Sequence, residues 1–317
     1  KTEPDGRVFP ASDRSQSVID CLLGQAAQHG ITLHTRRGLN ALQPTGQGFQ
    51  LETSAGPLFA RRLLLAPGGG SASAYQLARN LGHTILPPVP SLFTFNIEDP
   101  RLAGLAGISV PQAALTLQPA GHHGPPFQAQ GPLLITHWGL SGPAVLKLSA
   151  WAARALAASH YRAELQVNWD GEESLATRLA GLQAARTQRA RQTIAKMDPG
   201  GRLPQRLWQA LVSAAGLPAQ QTWAQASNAQ LQALAEQLSQ ASFQVQGKGV
   251  FKEEFVTCGG VSLQEVDFRS MQSRLMPGLY FAGEYLDIDA LTGGFNFQAA
   301  WTTGWLAGRH MGESLLR

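Results

Sequence analysis

The stretch from Pro277 to Gly308 constrains this chain more than any other. Leu279-Tyr280-Phe281-Ala282 is a continuous apolar run that follows Pro277-Gly278 and stops at Gly283, which predicts a short buried strand. An acid, Glu284, stands just past its carboxyl end, and a loop holding Asp287 and Asp289 leads to the pair Gly293-Gly294. From Phe295 to Ala307 alanines and aromatics occur on all sides, the pattern of a buried helix. Strand, acid, glycine pair and helix, in that order, predict a ligand-binding crevice. Carboxylates at a strand end accept hydrogen bonds from ribityl or ribose hydroxyls, and the free N–H groups of a helix start favour electron-rich oxygens.

The rest of the chain is ample for a core around such a crevice. Its 317 residues, 44% hydrophobic and 15% charged, predict a globular protein of about two domains. No run approaches the ~18 apolar residues of a membrane span, and Lys1-Thr-Glu-Pro-Asp-Gly-Arg is polar, without the core of a signal peptide. The expectation is a cytoplasmic protein with no membrane partner. Cys21 and Cys258 lie far apart, so neither a disulfide framework nor a zinc site is expected. The loop pair His122-His123 has no acid or cysteine beside it, and no metal is expected there.

A helix over Ser17 to His29 is predicted, capped by Ser12 or Ser15, with Val18, Leu22, Ala26 and His29 on one face and Gly30 as the stop. Ile31 to Thr35 then alternates as a strand. Leu39 to Gln43, Phe49 to Thr53 and Leu58 to Ala60 read as an antiparallel meander, followed by the buried strand Leu63 to Ala66. Pro67-Gly-Gly-Gly-Ser leads into a helix from Tyr75 to Gly82, and the prolines at 87, 88 and 90 mark an extended linker. Beyond it, short strands around Phe93 to Ile97, Ile108 to Val110, Ala114 to Leu117 and Leu133 to Thr136 give the pattern of a small β-barrel or sandwich. A helix from Pro143 to Ser159 and a strand from Tyr161 to Trp169 come next. Residues 172–239 form a helical insert; Phe243 to Gln246 and Phe255 to Thr257 then return to strands and close the barrel.

Five features invite chemical readings. Gly68-x-Gly70-x-x-Ser73 imitates a dinucleotide fingerprint, but serine stands at its third position and no strand-end acid follows ~20 residues on. Gly139-x-Ser141 imitates a nucleophile elbow, but Pro143 replaces the last glycine, so Ser141 or Gly142 reads as the cap of a helix beginning at Pro143. His137, a titratable ring just before that helix, is the candidate to face a cofactor or substrate. Cys258 lacks a nearby second cysteine and reads as structural. The net charge of +4 is concentrated between Gly171 and Ala210, where Arg178, Arg186, Arg189, Arg191, Lys196, Arg202 and Arg206 face Glu172, Glu173 and Asp198. That segment is either a solvated helical face or a contact surface for RNA phosphates.

Five stretches together carry a resemblance: Gly6-Arg-Val-Phe-Pro-Ala-Ser-Asp, Leu65-Ala-Pro-Gly-Gly-Gly-Ser, Leu134-Ile-Thr-His-Trp-Gly-Leu-Ser-Gly-Pro-Ala, Val256-Thr-Cys-Gly-Gly-Val, and Gly278-Leu-Tyr-Phe-Ala-Gly-Glu with Thr292-Gly-Gly-Phe-Asn. In this order they resemble the BaiN-like bacterial NAD(P)/FAD-dependent oxidoreductases, the aminoacetone-oxidase-like flavoproteins. The resemblance implies an α/β fold. A discontinuous, Rossmann-like FAD domain of the two-dinucleotide type, residues 1–90 and 262–317, would be interrupted by a β-barrel-like domain, 91–170 and 241–261, that carries a helical insert, 171–240. It implies FAD held by Gly283 and Glu284, with Asp287 and Asp289 shaping the loop and Gly68, Gly69 and Gly70 close to the nucleotide. The N–H groups of Gly294, Phe295 and Asn296, behind Gly293, would face the N1–O2 side of the flavin.

The family places a strand, a Gly-x-Gly-x-x-Gly turn and a helix for the FAD pyrophosphate ahead of the counterpart of Gly6. These 317 residues do not contain that segment, and the expectation is the family's FAD-dependent oxidoreductase, or a truncated form of one, acting on a small-molecule substrate. No NAD(P) fingerprint is visible. Some members are linked to reduction of a uridine in ribosomal RNA, which makes an RNA-acting flavoenzyme docking through the basic insert the alternative. A non-catalytic binding module is the third.

Overall fold

Secondary structure follows the local patterns through most of the chain, and its departures fall where an element lacks a neighbour. The computed structural model describes residues 1–4, 6–171, 173–249 and 256–313, so Glu172 and Phe255, the first residue of an expected strand, lie outside the described residues. The chain divides into two units, Lys1–Pro88 with Gly259–Arg317, and Val89–Cys258.

The first unit begins with helix α1 (Gln16–Gln28), whose predicted serine caps are not made: Ser15 is itself helical and its side chain makes no capping bond, while Ser12 Oγ bonds Ser17 Oγ at 2.6 Å. No residue of α1 is buried, so its apolar face has no core to meet. Ile31 to Thr35 is not a strand, and Ile31 and Leu33 are exposed. The alternation is right for a strand, but among the described residues no strand pairs with it, and an unpaired strand leaves its backbone to water. Strands β1 (Leu39–Thr45), β2 (Gly48–Thr53) and β3 (Gly56–Ala60) form the expected meander, with Leu42 opposite Leu51 and Phe49 opposite Ala60. Strand β4 (Leu63–Leu65) and helix α2 (Ala72–Asn80) follow; Ser71 caps α2 by accepting from the Ala74 amide at 3.3 Å.

Strand β5 (Ile85–Ser91) holds the prolines, in an extended run rather than a free linker. In the second unit come β6 (Phe95–Asn96), β7 (Ser109–Pro119), β8 (Phe127–Thr136), β9 (Gly139–Ser141), α3 (Pro143–Trp151), α4 (Ala153–Ala158) and β10 (Ala163–Asn168). Two expected short strands are one: β7 runs through a bulge between Val110 and Ala113. Gly142, with φ +97°, caps α3, and Ser141 Oγ instead bonds Thr94 Oγ1 at 2.9 Å. Helices α5 (Leu175–Gln188), α6 (Gln205–Ala214) and α7 (Asn228–Ser239) precede β11 (Ala241–Val245) and β12 (Gly247–Lys248).

Seven strands pair in the order β11-β10-β7-β8-β9-β6-β12. This corrects the barrel: β11 pairs only with β10 and β12 only with β6, so among the described residues the sheet is open. Its inward residues, such as Leu115, Leu117 and Leu165, share one core with Trp208 and Leu211 of α6 and Leu231 and Leu234 of α7. The helices thus cover a sheet face, which an open sheet requires.

Strand β13 (Val256–Val261) returns the chain, buried throughout, and pairs with β5. Strands β14 (Val266–Asp267), β15 (Gln272–Ser273) and β16 (Leu279–Phe281) complete a four-stranded sheet, β14-β15-β16-β4, in the first unit. Helix α8 (Phe295–Glu313) closes the described chain. It is not the buried helix expected: only Thr303 and Ala307 are buried, and Phe297, Trp301 and Trp305, one turn apart, are 71%, 60% and 62% exposed. A helix apolar all round buries only the side that meets a neighbour. No helix among the described residues is long and apolar enough to cross a membrane.

Candidate functional site

Strands β4 and β16 are parallel neighbours, pairing Leu63 with Leu279, Leu64 with Tyr280 and Leu65 with Phe281. Both therefore end at the same edge of the sheet. The glycine turn Pro67–Gly70 leaves β4 there, and Gly283-Glu284 leaves β16 beside it. Open α/β sheets bind ligands at this kind of edge, outside the carboxyl ends of parallel strands.

A tyrosine that sequence reasoning did not single out ties the two together. Tyr75, on the first turn of α2, donates from its hydroxyl to the Gly69 carbonyl at 3.0 Å and lies 3.4 Å from the Glu284 carbonyl. Its ring stacks on Tyr285 at 5.1 Å between centroids, and the Tyr285 hydroxyl reaches back to the Ala74 carbonyl. Burial pushes the Tyr75 phenol up to about 12, with the charges of Glu284 and Asp287 adding in the same direction. Burial raises Tyr285 as well. Both hydroxyls therefore remain protonated donors at neutral pH. The signal was a tyrosine five residues after the last glycine of the turn and another directly after Glu284, but the contact spans more than two hundred residues and no local pattern discloses it.

Gly260 positions the same loop from below. Its φ is +140°, and a Cβ there would stand 2.6 Å from the Tyr285 carbonyl oxygen; the neighbouring Val261 carbonyl accepts from the Asp287 amide at 3.0 Å. Gly260 thus lets β13 pass against the Glu284 loop, while a Cβ at the preceding Gly259 would meet the Pro87 carbonyl oxygen of β5 at 2.5 Å. Cys258 of the same strand is buried.

Helix α8 joins at two points. The Gly283 amide donates to Thr303 Oγ1 at 2.9 Å. The Asn296 side chain clamps Ala290, accepting from its amide and donating to its carbonyl, both at 2.9 Å. Asn296 therefore fixes the end of the Asp287–Asp289 loop to the first turn of the helix. Gly293 and Gly294, at φ +125° and +89°, leave the helix start exposed, and a Cβ at Gly294 or Gly68 would meet nothing within 4 Å. Glu284, Asp287 and Asp289 are half-buried.

The first unit thus brings together Gly69, Glu284, Asp287 and the start of α8, with Gly68 and Gly70 flanking the turn. His137 belongs to the second unit. Half-buried carboxylates, open glycine backbone and the exposed start of a helix are a donor and acceptor set that fits a dinucleotide, the carboxylates for sugar hydroxyls and the helix-start amides for oxygens bearing negative charge.

A Rossmann-type sheet edge of this composition defines a nucleotide-binding α/β protein. The family model described as "HI0933-like protein Rossmann domain" matches residues 1–310, and the chain belongs to that family, which is the BaiN-like flavoprotein family that the motifs resemble. It is 30% identical over 312 residues to "Ribosomal RNA dihydrouridine synthase" of Escherichia coli (strain K12), covering 95% of this chain and 72% of that protein. It is 28% identical over 325 residues to "3-dehydro-bile acid delta(4,6)-reductase" of Clostridium scindens, covering 97% of this chain and 76% of that one. A protein of Haemophilus influenzae named as the first is 26% identical over 313 residues, 95% of this chain and 73% of its own length.

Proposed function

We propose that the chain is an FAD-dependent oxidoreductase whose cofactor lies along the β4–β16 edge. The observation that carries this reading is the Tyr75 link between Gly69 and Glu284, which holds an acid and a glycine turn at one strand edge; membership of a flavoprotein family supports it. In this reading the Glu284 carboxylate accepts hydrogen bonds from ribityl or ribose hydroxyls, and Asp287 and Asp289 shape the loop around it. The Gly68–Gly70 backbone lies close to the nucleotide. The N–H groups of Gly294, Phe295 and Asn296 hold negative charge at the N1–O2 side of the ring, which makes the flavin easier to reduce. FAD, when bound, supplies a two-electron carrier; the substrate is a small molecule. Incubation of the purified chain with FAD tests the reading: visible flavin absorbance should remain with the protein after gel filtration, and Glu284→Ala should weaken retention. Protein that stays colourless would remove it.

Two of the relatives carry the name of a ribosomal RNA dihydrouridine synthase, which favours a second reading: a flavoenzyme that reduces uridine in RNA, docked through residues 171–210. Of the basic residues there, Arg178, Arg186, Arg189, Arg202 and Arg206 each hold internal partners, while Arg191 and Lys196 are exposed. RNA affinity that falls steeply with salt and drops in the double variant Arg191→Ala/Lys196→Ala would support it; salt-independent or absent affinity would not.

A further inference from the structure

His83 follows the end of α2, where its amide bonds the Ala78 carbonyl at 3.1 Å. Its side chain is turned inward, and only 3% of the residue is exposed. Nε2 lies 2.7 Å from Ser273 Oγ of β15, and the ring meets Phe281 of β16 edge to face at 4.9 Å between centroids. A serine beside a histidine imitates a nucleophile and its base. Ser273 is itself 6% exposed, however, and Glu265 accepts from the Thr84 amide at 2.9 Å rather than from the ring. The pair therefore has neither access for a substrate nor an acid to orient the base.

The hydrogen bonds around Ser273 fix where the proton sits. Its hydroxyl oxygen accepts from the Leu275 amide at 3.0 Å and from the Met276 amide at 2.9 Å. A hydroxyl has two lone pairs and one proton. Both lone pairs are occupied, so the O–H is what remains for His83, and Nε2 is the acceptor. The neutral ring then carries its proton on Nδ1, which has no partner of normal hydrogen-bond geometry among the described residues. A second proton has no place in this arrangement. On Nε2 it would point at an oxygen whose lone pairs are taken, and one of the two amides would have to let go.

We propose that His83 is an acid-sensitive latch on the turn between β15 and β16: the neutral imidazole holds Ser273 in place, and protonation at Nε2 frees the Leu275 or the Met276 amide. That turn leads through Pro277-Gly278 into β16, directly after which stand Gly283 and Glu284. The latch thus acts on the strand that sets the β4–β16 edge. Of the groups that bear on the ring, Glu265 is charged and favours protonation, whereas Ser273, Phe281 and the Ala78 carbonyl carry no charge. Burial outweighs Glu265 and holds the imidazole below its ordinary value of 6.5. The latched form has the lower pKa, so the latch is whole above pH 6.5 and is lost as pH falls below it. The inference concerns the first unit's own structure and does not depend on what the edge binds.

Nitrogen-15 NMR of the full chain tests it. At about pH 7.5 the His83 ring should show a protonated Nδ1 and an unprotonated Nε2. Below about pH 6.5 the hydrogen-exchange protection of the Leu275 or the Met276 amide, taken against the unstructured rate at each pH, should fall by up to about tenfold per pH unit. His83→Gln offers Ser273 an oxygen acceptor and has no proton to gain, so its protection should stay within about twofold over the same range. A proton on Nε2 of the neutral ring, protection of both amides that does not change with pH, or an equal fall in His83→Gln would overturn the proposal. The first two readouts come from the parent chain and decide the matter even where the variant does not fold.

Discussion

The two units contain the same kinds of apolar residue and use them differently. In the second, Trp169, Trp208, Trp223, Phe95 and Phe243 are almost wholly buried, and the sheet and its helices share one core. In the first, a smaller core around Phe49, Tyr75, Tyr280, Phe281 and Tyr285 sits beside apolar residues that remain open: Leu22 of α1, Ile31 and Leu33, and the Phe297–Trp301–Trp305 row of α8. An apolar pattern specifies which face can be buried, and only a packed neighbour buries it. The second unit buries Trp169, Trp208 and Trp223, and the first leaves Trp301 and Trp305 of α8 open.

The sharpest way to break this contrast is to truncate one tryptophan in each unit. Trp208→Ala should destabilise the second unit by about 3–5 kcal/mol, read by urea unfolding, whereas Trp305→Ala on the open face of α8 should change stability by no more than about 0.5 kcal/mol. Comparable losses from both would show that the α8 face is packed in solution. A second substitution probes charge in the second unit. Arg178, 6% exposed, pairs with Asp170 and with Glu173 at 3.2 Å, and burial lowers the pKa of its guanidinium. Arg178→Ala leaves Asp170 buried against the half-exposed Arg202 at 2.9 Å, and a loss of about 3 kcal/mol is expected.

Smaller effects sharpen the picture of the first unit. Tyr75→Phe keeps the ring stack on Tyr285 but removes the hydroxyl that bonds Gly69, and should cost about 1 kcal/mol together with FAD affinity. A variant that loses stability while holding FAD as before would separate Tyr75 from the site. The alkaline limb is the smallest effect. Tyr75 ionises at about 12 in the folded chain and at 10.0 in an ordinary environment. Its folded value is the higher one, so its contribution is whole below pH 10 and is lost as pH rises toward about 12. Unfolding followed through that window should show the parent losing more stability than Tyr75→Phe.

Local pattern carried much of this architecture. The continuous run Leu279–Phe281, the meander of β1 to β3 and the glycine pair before Phe295 depend on near neighbours, and each formed as its pattern implies. Ile31 to Thr35 did not, because strand formation depends on a partner that alternation cannot name. The barrel failed for a related reason: inward and outward residues alternate in open and closed sheets alike, and closure is decided by pairing between β11 and β12, which is absent among the described residues. The acids and glycines of the proposed site stand out in the sequence by their spacing, whereas the contacts around them do not. Tyr75, Thr303 and Gly260 act through contacts with distant segments, and Asn296, singled out for its amide, uses its side chain to clamp Ala290.

The most direct test of the account is an equilibrium titration of the chain with FAD, followed by flavin absorbance and fluorescence, in the parent and in Glu284→Ala. The account predicts saturable binding that weakens about tenfold when the carboxylate is removed. Failure of the parent to take up FAD, or equal affinity in the two proteins, would contradict it.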